Sequence, residues 1–145
     1  MIRKQVTKIL LVLVASLMIM ELIYLFTPHK MTTVLALNQQ LNQCDVLVDQ
    51  IKVHEIYSLE GAELAQLSKI MEETKVQFDG RYGRFIEWQG DRLYHLYFST
   101  ATAPCDVVLI DEGGSVLYKG MRFQILGDSR TEILSFLSNS HDALP

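Results

Sequence analysis

Two histidines and two cysteines are the side chains in this sequence best suited to chemistry. His54 precedes Glu55, and His95 lies inside the run Leu93-Tyr94-His95-Leu96-Tyr97-Phe98. An imidazole with a carboxylate partner is a common general base. His54 and Glu55, however, are neighbours in an alternating, β-branched stretch, so their side chains point to opposite faces of a strand. Both histidines are therefore expected as strand residues rather than catalytic groups. No serine occupies a G-x-S-x-G elbow, and Gly113-Gly114 is too short for a phosphate loop. The adjacent acids Asp111-Glu112 read as a solvated turn. Cys44 and Cys105 are far apart, with no CxxC or HxxxH spacing to accompany them, so neither a metal nor another cofactor is expected. Outside a cell an even cysteine count points to a disulfide between them; closing such a loop is worth about 4 kcal/mol in the chain-entropy model. Two free thiols are the alternative.

The compartment that decides this question is written at the start of the chain. Arg3, Lys4 and Lys8 precede an apolar run over 9–26 that one charge, Glu21, interrupts. At about 1.5 Å per residue the run makes ~27 Å of helix, close to the roughly 30 Å hydrocarbon core of a bilayer. Pro28 ends it. A carboxylate at the bilayer centre costs on the order of 2.5–3.5 kcal/mol. Glu21 lies near the outer end, where it is either a tolerated interfacial acid or a contact to a partner transmembrane helix. The basic residues before the run place the N-terminus in the cytoplasm and residues from about 28 onward outside. The rival reading is a signal peptide cleaved after Val34-Leu35-Ala36, which would release a secreted protein.

The chain has 145 residues and a formal charge of −4. Residues 1–30 hold Arg3, Lys4, Lys8 and Lys30 against Glu21, which leaves −7 for the remainder. An outer domain this acidic argues against nucleic acid and against attraction to an anionic lipid or polymer through bulk charge. Its length suits one domain with a modest core.

Beyond the membrane segment, Val34, Leu37 and Leu41 fall at helical spacing, which predicts a juxtamembrane helix or stalk over 31–45. Residues 46–57 alternate and read as the first strand. Ser58 is placed to cap an amphipathic helix over 59–74, with Leu64, Leu67, Ile70 and Met71 on one face. Strands and turns follow. Phe85, Ile86 and Trp88 read as one strand, and 93–98 as another with Tyr94, Leu96 and Phe98 on one face and Leu93, His95 and Tyr97 on the other. Residues 107–110 form a short buried strand, and Asp111-Glu112-Gly113-Gly114 the clearest hairpin turn. Ser129-Arg130-Thr131-Glu132 has the form of a capping box for a last helix, with a frayed tail at 140–145. The expected fold is α+β: an N-terminal transmembrane helix, then a small antiparallel sheet of about five strands with one or two helices packed on one face. The expected division is 1–30 for the cytoplasmic tip and signal anchor, 31–45 for the stalk, and 46–139 for the extracytoplasmic domain.

Tyr82, Phe85, Trp88, Tyr94, Tyr97 and Phe98 crowd one stretch, with Arg81, Arg84 and Arg92 nearby. Cross-strand core pairs account for such a cluster. An exposed patch for a protein or a cell-wall glycan is the functional alternative, since interfaces favour aromatics and arginine. The candidate partner-binding residues are therefore Glu21, Arg84, Trp88, Tyr94 and Tyr97.

Ala103-Pro104, the following VVLIDEGGSVLYKG and the final helix resemble the C-terminal half of thioredoxin-like proteins, where a proline precedes a strand, an I-D-x-x-G hairpin, a strand and a helix. The resemblance covers about 35 residues. It implies a degenerate thioredoxin-like domain, because there is no CxxC and Cys105 directly follows Pro104, away from that family's active position. The leading expectation is a single-pass membrane protein of bacterial type. Its outer domain acts as a non-catalytic binding or assembly module for another envelope or membrane protein, in contact with membrane lipid. The alternative is a secreted or anchored enzyme, degenerate thioredoxin-like or hydrolytic, with a site assembled from scattered residues.

Overall fold

The computed structural model describes residues 2–37, 39–81 and 87–143. Helix α1 (Ile2–Phe26) is long and apolar enough to cross a bilayer, and none of it is buried against the rest of the chain. The described remainder contains β1 (His29–Lys30), α2 (Met31–Val34), β2 (Leu41–Gln50), β3 (Val53–Leu59), α3 (Gly61–Glu73), β4 (Lys75–Arg81), β5 (Arg92–Thr100), β6 (Val108–Asp111), β7 (Ser115–Tyr118), β8 (Met121–Ile125) and α4 (Ser129–Asp142). These strands form one sheet in the order β1-β4-β8-β7-β6-β5-β2-β3, antiparallel at every pairing.

The fold is α+β as expected, but with eight strands in place of about five. Residues 46–57 are not one strand. The chain reverses at Ile51-Lys52 and pairs β2 with β3 from Cys44↔Leu59 to Gln50↔Val53. The 31–45 stretch is not a free stalk either. Met31 and Leu35 are fully buried in the core, α2 lasts one turn, and Ala36 adopts φ 52° before β2 begins. An L-residue at positive φ cannot continue a right-handed helix.

One face of the sheet carries the core. The alternation of β2 and β5 sends Cys44, Val46, Val48, Tyr94, Leu96 and Phe98 to that face. Leu64, Leu67, Ile70 and Met71 of α3 and Ile133 and Leu137 of α4 pack onto it, so both long helices of the domain cover one side. The buried Tyr57 hydroxyl donates to the Leu137 carbonyl at 2.9 Å and ties β3 to α4. On the opposite face Leu93, Leu109 and Leu117 of β5, β6 and β7 form a small second cluster.

Helix caps differ from the sequence reading. Glu60 caps α3 without a side-chain bond, while the Ser58 hydroxyl donates to Asp45 instead. Asp128 is the cap residue of α4, and Ser129 lies inside the helix. Two turns need glycine. At the β7–β8 hairpin Lys119 and Gly120 both have positive φ, 47° and 77°, the pattern of a two-residue turn matched to strand twist. In the β6–β7 turn a Cβ on Gly113 would overlap the Gln89 side chain. That turn is not solvated at Asp111, which is 2% exposed and accepts bonds from the Gln89 and Ser115 N–H groups at 2.9 and 2.8 Å.

The junction between α1 and the sheet is short. Thr27 and Pro28 alone separate α1 from β1. The Gln77 side chain donates to the Phe26 carbonyl at 2.9 Å, and the Phe26, Phe78 and Phe123 rings follow one another edge-on, with centroids 6.4 and 5.9 Å apart. His29 folds back on Tyr24, its Nε2 2.7 Å from the Tyr24 carbonyl.

Because α3 reaches the core chiefly through Leu67, Met71 and their neighbours, Leu67→Ala should cost about 2–5 kcal/mol. Urea unfolding of the full-length protein in detergent, followed by circular dichroism, measures it.

Candidate interaction surface

The sheet ends on one side in β3, whose outer side carries no strand among the described residues. Residues 53–56 of β3 are all exposed, and so is the preceding turn: Ile51 is 84% exposed, Ile56 70% and Val53 44%. The strand has no proline or lysine and pairs with β2 without a bulge; Glu55 is the one acid along this edge. Around the corner, on the face away from the helices, Ile56 stands opposite Leu47 and Leu47 opposite His95. Tyr97, 44% exposed, stacks on His95 at 6.4 Å.

Polar groups frame this apolar stripe. Asp45 accepts from Gln43 at 2.7 Å and from the Ser58 hydroxyl, and these bonds hold its carboxyl below the usual aspartate range. Asp49 lies between two histidines, 2.9 Å from His54 Nδ1 and 3.7 Å from His95 Nε2. His54 thus meets Asp49 rather than Glu55, which faces the other side and bonds His141 of α4. His95 Nε2 is buried without a hydrogen bond, and burial pushes this imidazole below its ordinary range, with Asp49 acting in the opposite sense. Among the described residues, no group of three or more His, Cys, Asp or Glu is arranged to hold a metal.

Of the residues singled out from sequence, Trp88 and Tyr97 are exposed and Glu21 is exposed on α1. Tyr94 is not available to a partner: it is 2% exposed and faces the helices, because alternation along β5 puts it with Leu96 and Phe98. Arg84, with Phe85 and Ile86 of the expected strand, lies outside the described residues; Trp88 is not in a strand. With Tyr94 and Phe98 buried, the six aromatics of that stretch do not form one exposed patch.

The cysteines are separate thiols. Cys44 on β2 stands opposite Phe98 on β5, and on the far side of β5 the Cys105 N–H donates to the Phe98 carbonyl at 2.8 Å. Two strand spacings, about 10 Å, separate them, against the ~7 Å limit for Cα atoms joined by a disulfide. Burial, with a smaller push from Asp45, raises the Cys44 thiol to about 12, the reverse of an activated nucleophile. The thioredoxin-like order of proline, strand, hairpin and helix is present locally, but the eight-stranded antiparallel sheet around it lacks a dithiol site.

A hollow of about 760 Å³ lies between the α2–β2 connection and α3, floored by Leu37, Leu41, Leu64 and Met71 and rimmed by Gln40 and Glu72. Neither it nor the β3 edge was legible in the sequence. Both depend on how distant segments meet. No family model matches the chain, and neither a curated protein nor a solved structure matches it.

The unreduced native protein should react with a maleimide at Cys105 well before Cys44, and at both once denatured, as read by mass spectrometry; a mass 2 Da short of two thiols on the denatured, unlabelled chain contradicts this. His95 also predicts an acid slope. Its folded value lies below the unfolded one, near 6.5, so its contribution to stability is complete above ~6.5 and is lost as pH falls through the folded value. Urea midpoints between about pH 7 and 5 should fall less in His95→Gln than in the wild type.

Proposed function

We propose that the chain is a single-pass membrane protein with its N-terminus in the cytoplasm, whose outer α+β domain binds an extended segment of another envelope or membrane protein along β3. The observation that carries this reading is the bare outer side of β3, a seven-residue strand with Val53 and Ile56 uncovered. An edge strand offers a row of unpaired N–H and C=O groups, and a peptide that adds a strand there gains main-chain bonds worth ~0.5–1.5 kcal/mol each. Ile56, with Leu47 opposite it on the open face, supplies apolar surface for alternate side chains of that segment.

The membrane part of the reading rests on the length and apolarity of α1 and on Arg3, Lys4 and Lys8 before its apolar run. Glu21 gives a partner's own transmembrane helix a polar contact. Binding is favoured over catalysis because the ionisable groups near the surface lack the required relations. Cys44 is buried and held protonated, and His95 Nε2 has no hydrogen-bond partner among the described residues.

A photo-crosslinking amino acid at Ile56 should capture a second protein in intact membranes, while the same group at Lys69 on the exposed face of α3 should not. With the photo-crosslinking group moved to Val53, Ile56→Lys should weaken capture about tenfold or more, with stability changed by less than ~0.5 kcal/mol because the Ile56 side chain is already exposed. Equal capture from Ile56 and Lys69, or recovery of the chain alone from both, overturns the proposal.

A further inference from the structure

The stretch from Pro28 to Ala36 follows the apolar helix directly, yet it is built into the core of the outer domain. Met31 is 0% exposed and Leu35 2%, and both belong to the buried cluster that holds Leu67 and Met71 of α3 and Val76 of β4. Val34 and Leu37 pack against that cluster from its margin. The backbone is held as firmly. His29 and Lys30 pair with Val76 and Lys75, and the Met31 N–H donates to the Thr74 carbonyl at 2.9 Å. Thr74 is itself fully buried, at the point where α3 ends and β4 begins. β1 and α2 thus close the junction between α3 and the sheet.

The bond after Ala36 is where a cleaved leader would end. A protease that reads the residues before its cut must take them extended, as an added strand. The fold offers no such stretch there. α2 runs to Val34, Leu35 has φ −81° and ψ 2°, and Ala36 has φ 52°. The Ala36 and Leu37 N–H groups bond back to the Thr33 and Thr32 carbonyls at 3.2 and 3.0 Å. Nearer α1, only Thr27 and Pro28 lie between the helix and β1, and Gln77 holds the Phe26 carbonyl. A cut made before folding fares no better. Without Met31 and Leu35 an apolar void opens against α3, and the Thr74 carbonyl loses its donor while remaining next to the core.

We infer that residues 28–36 are a permanent part of the outer domain, so that this domain is never released from α1 by proteolysis and completes its fold only with the leader attached. The inference deepens the membrane part of the proposed function and rests on the reading of α1 as a span only for what the domain stays attached to. It decides between the two fates open to the leader, anchor or cleaved signal, in favour of the anchor, because the segment that cleavage would discard is core.

The test begins with cells making the full-length chain. Membranes and medium are denatured and digested with trypsin, and the peptides are read by mass spectrometry. An uncut chain yields the peptide from Met31 to Lys52, which spans Ala36-Leu37, and a chain cut after Ala36 yields one that starts at Leu37. The Met31 peptide should be recovered from membranes and the Leu37 peptide from neither fraction; a Leu37 start in either overturns the inference. In the purified full-length protein in detergent, Leu35→Asp should abolish the cooperative urea transition of the outer domain. Thr33→Asp, on the exposed side of the same turn, should keep it. A wild-type midpoint in Leu35→Asp shows that the domain does not need the segment, and also overturns the inference. Alkaline extraction of the membranes keeps the two readings apart. An uncut chain that washes out supports the attached segment and removes only the span, whereas a cut chain removes the attachment.

Discussion

The fold depends on the alternation of β2 between two partner strands. β2 pairs with β3 on one side and with β5 on the other over nearly its whole length. Cys44, Val46 and Val48 go to the helices, while Asp45, Leu47 and Asp49 go to the open face. A slip of one residue would carry two aspartates into the core and three apolar side chains out, so register is fixed by burial rather than by turn chemistry. Tyr57 and Leu59 on β3 and Tyr94, Leu96 and Phe98 on β5 complete the same buried layer. Everything that faces outward, from the Asp49 histidine pair to Ile56, has its position set by that layer.

Much of this was legible in the sequence, for local reasons. The run 93–98 alternates strictly, and its two faces are those the structure shows. The Asp111–Gly114 turn announced its hairpin, and the apolar face of α3 its packing. What was not legible depends on distant contacts. The turn at Ile51-Lys52 has no glycine, proline, asparagine or aspartate, so 46–57 read as one strand. β1 has two residues and exists only because β4 lies beside it. Val34, Leu37 and Leu41 keep helical spacing although Ala36 turns left-handed between them. Asp111 looks like a surface acid until Gln89 arrives from twenty-two residues away to bond it. Cys44 and Cys105 are paired by count, but β5 runs between them.

The two margins of the sheet are set apart for a structural reason. Strands in the middle are paired on both sides, so among the described residues β3 and the β1–β4 margin are where strand backbone faces outward. They differ in chemistry. β3 is unpaired on its outer side and exposes Val53 and Ile56. The other margin is short and joined to an apolar helix. α3 and α4 cover the same broad face, and α4 reaches β3 through Tyr57 and Glu55.

The two-residue joint at Thr27-Pro28 has a mechanical consequence. Eight strands span seven spacings, so β3 lies ~34 Å from the β1 margin. With the joint braced by Gln77 and Phe78, the sheet acts as a lever arm on α1. A twist of the helix about its own axis by only a tenth of a turn swings the free end through roughly 20 Å. Small rotations imposed on α1 by neighbouring helices would thus be magnified into large sweeps of the far margin.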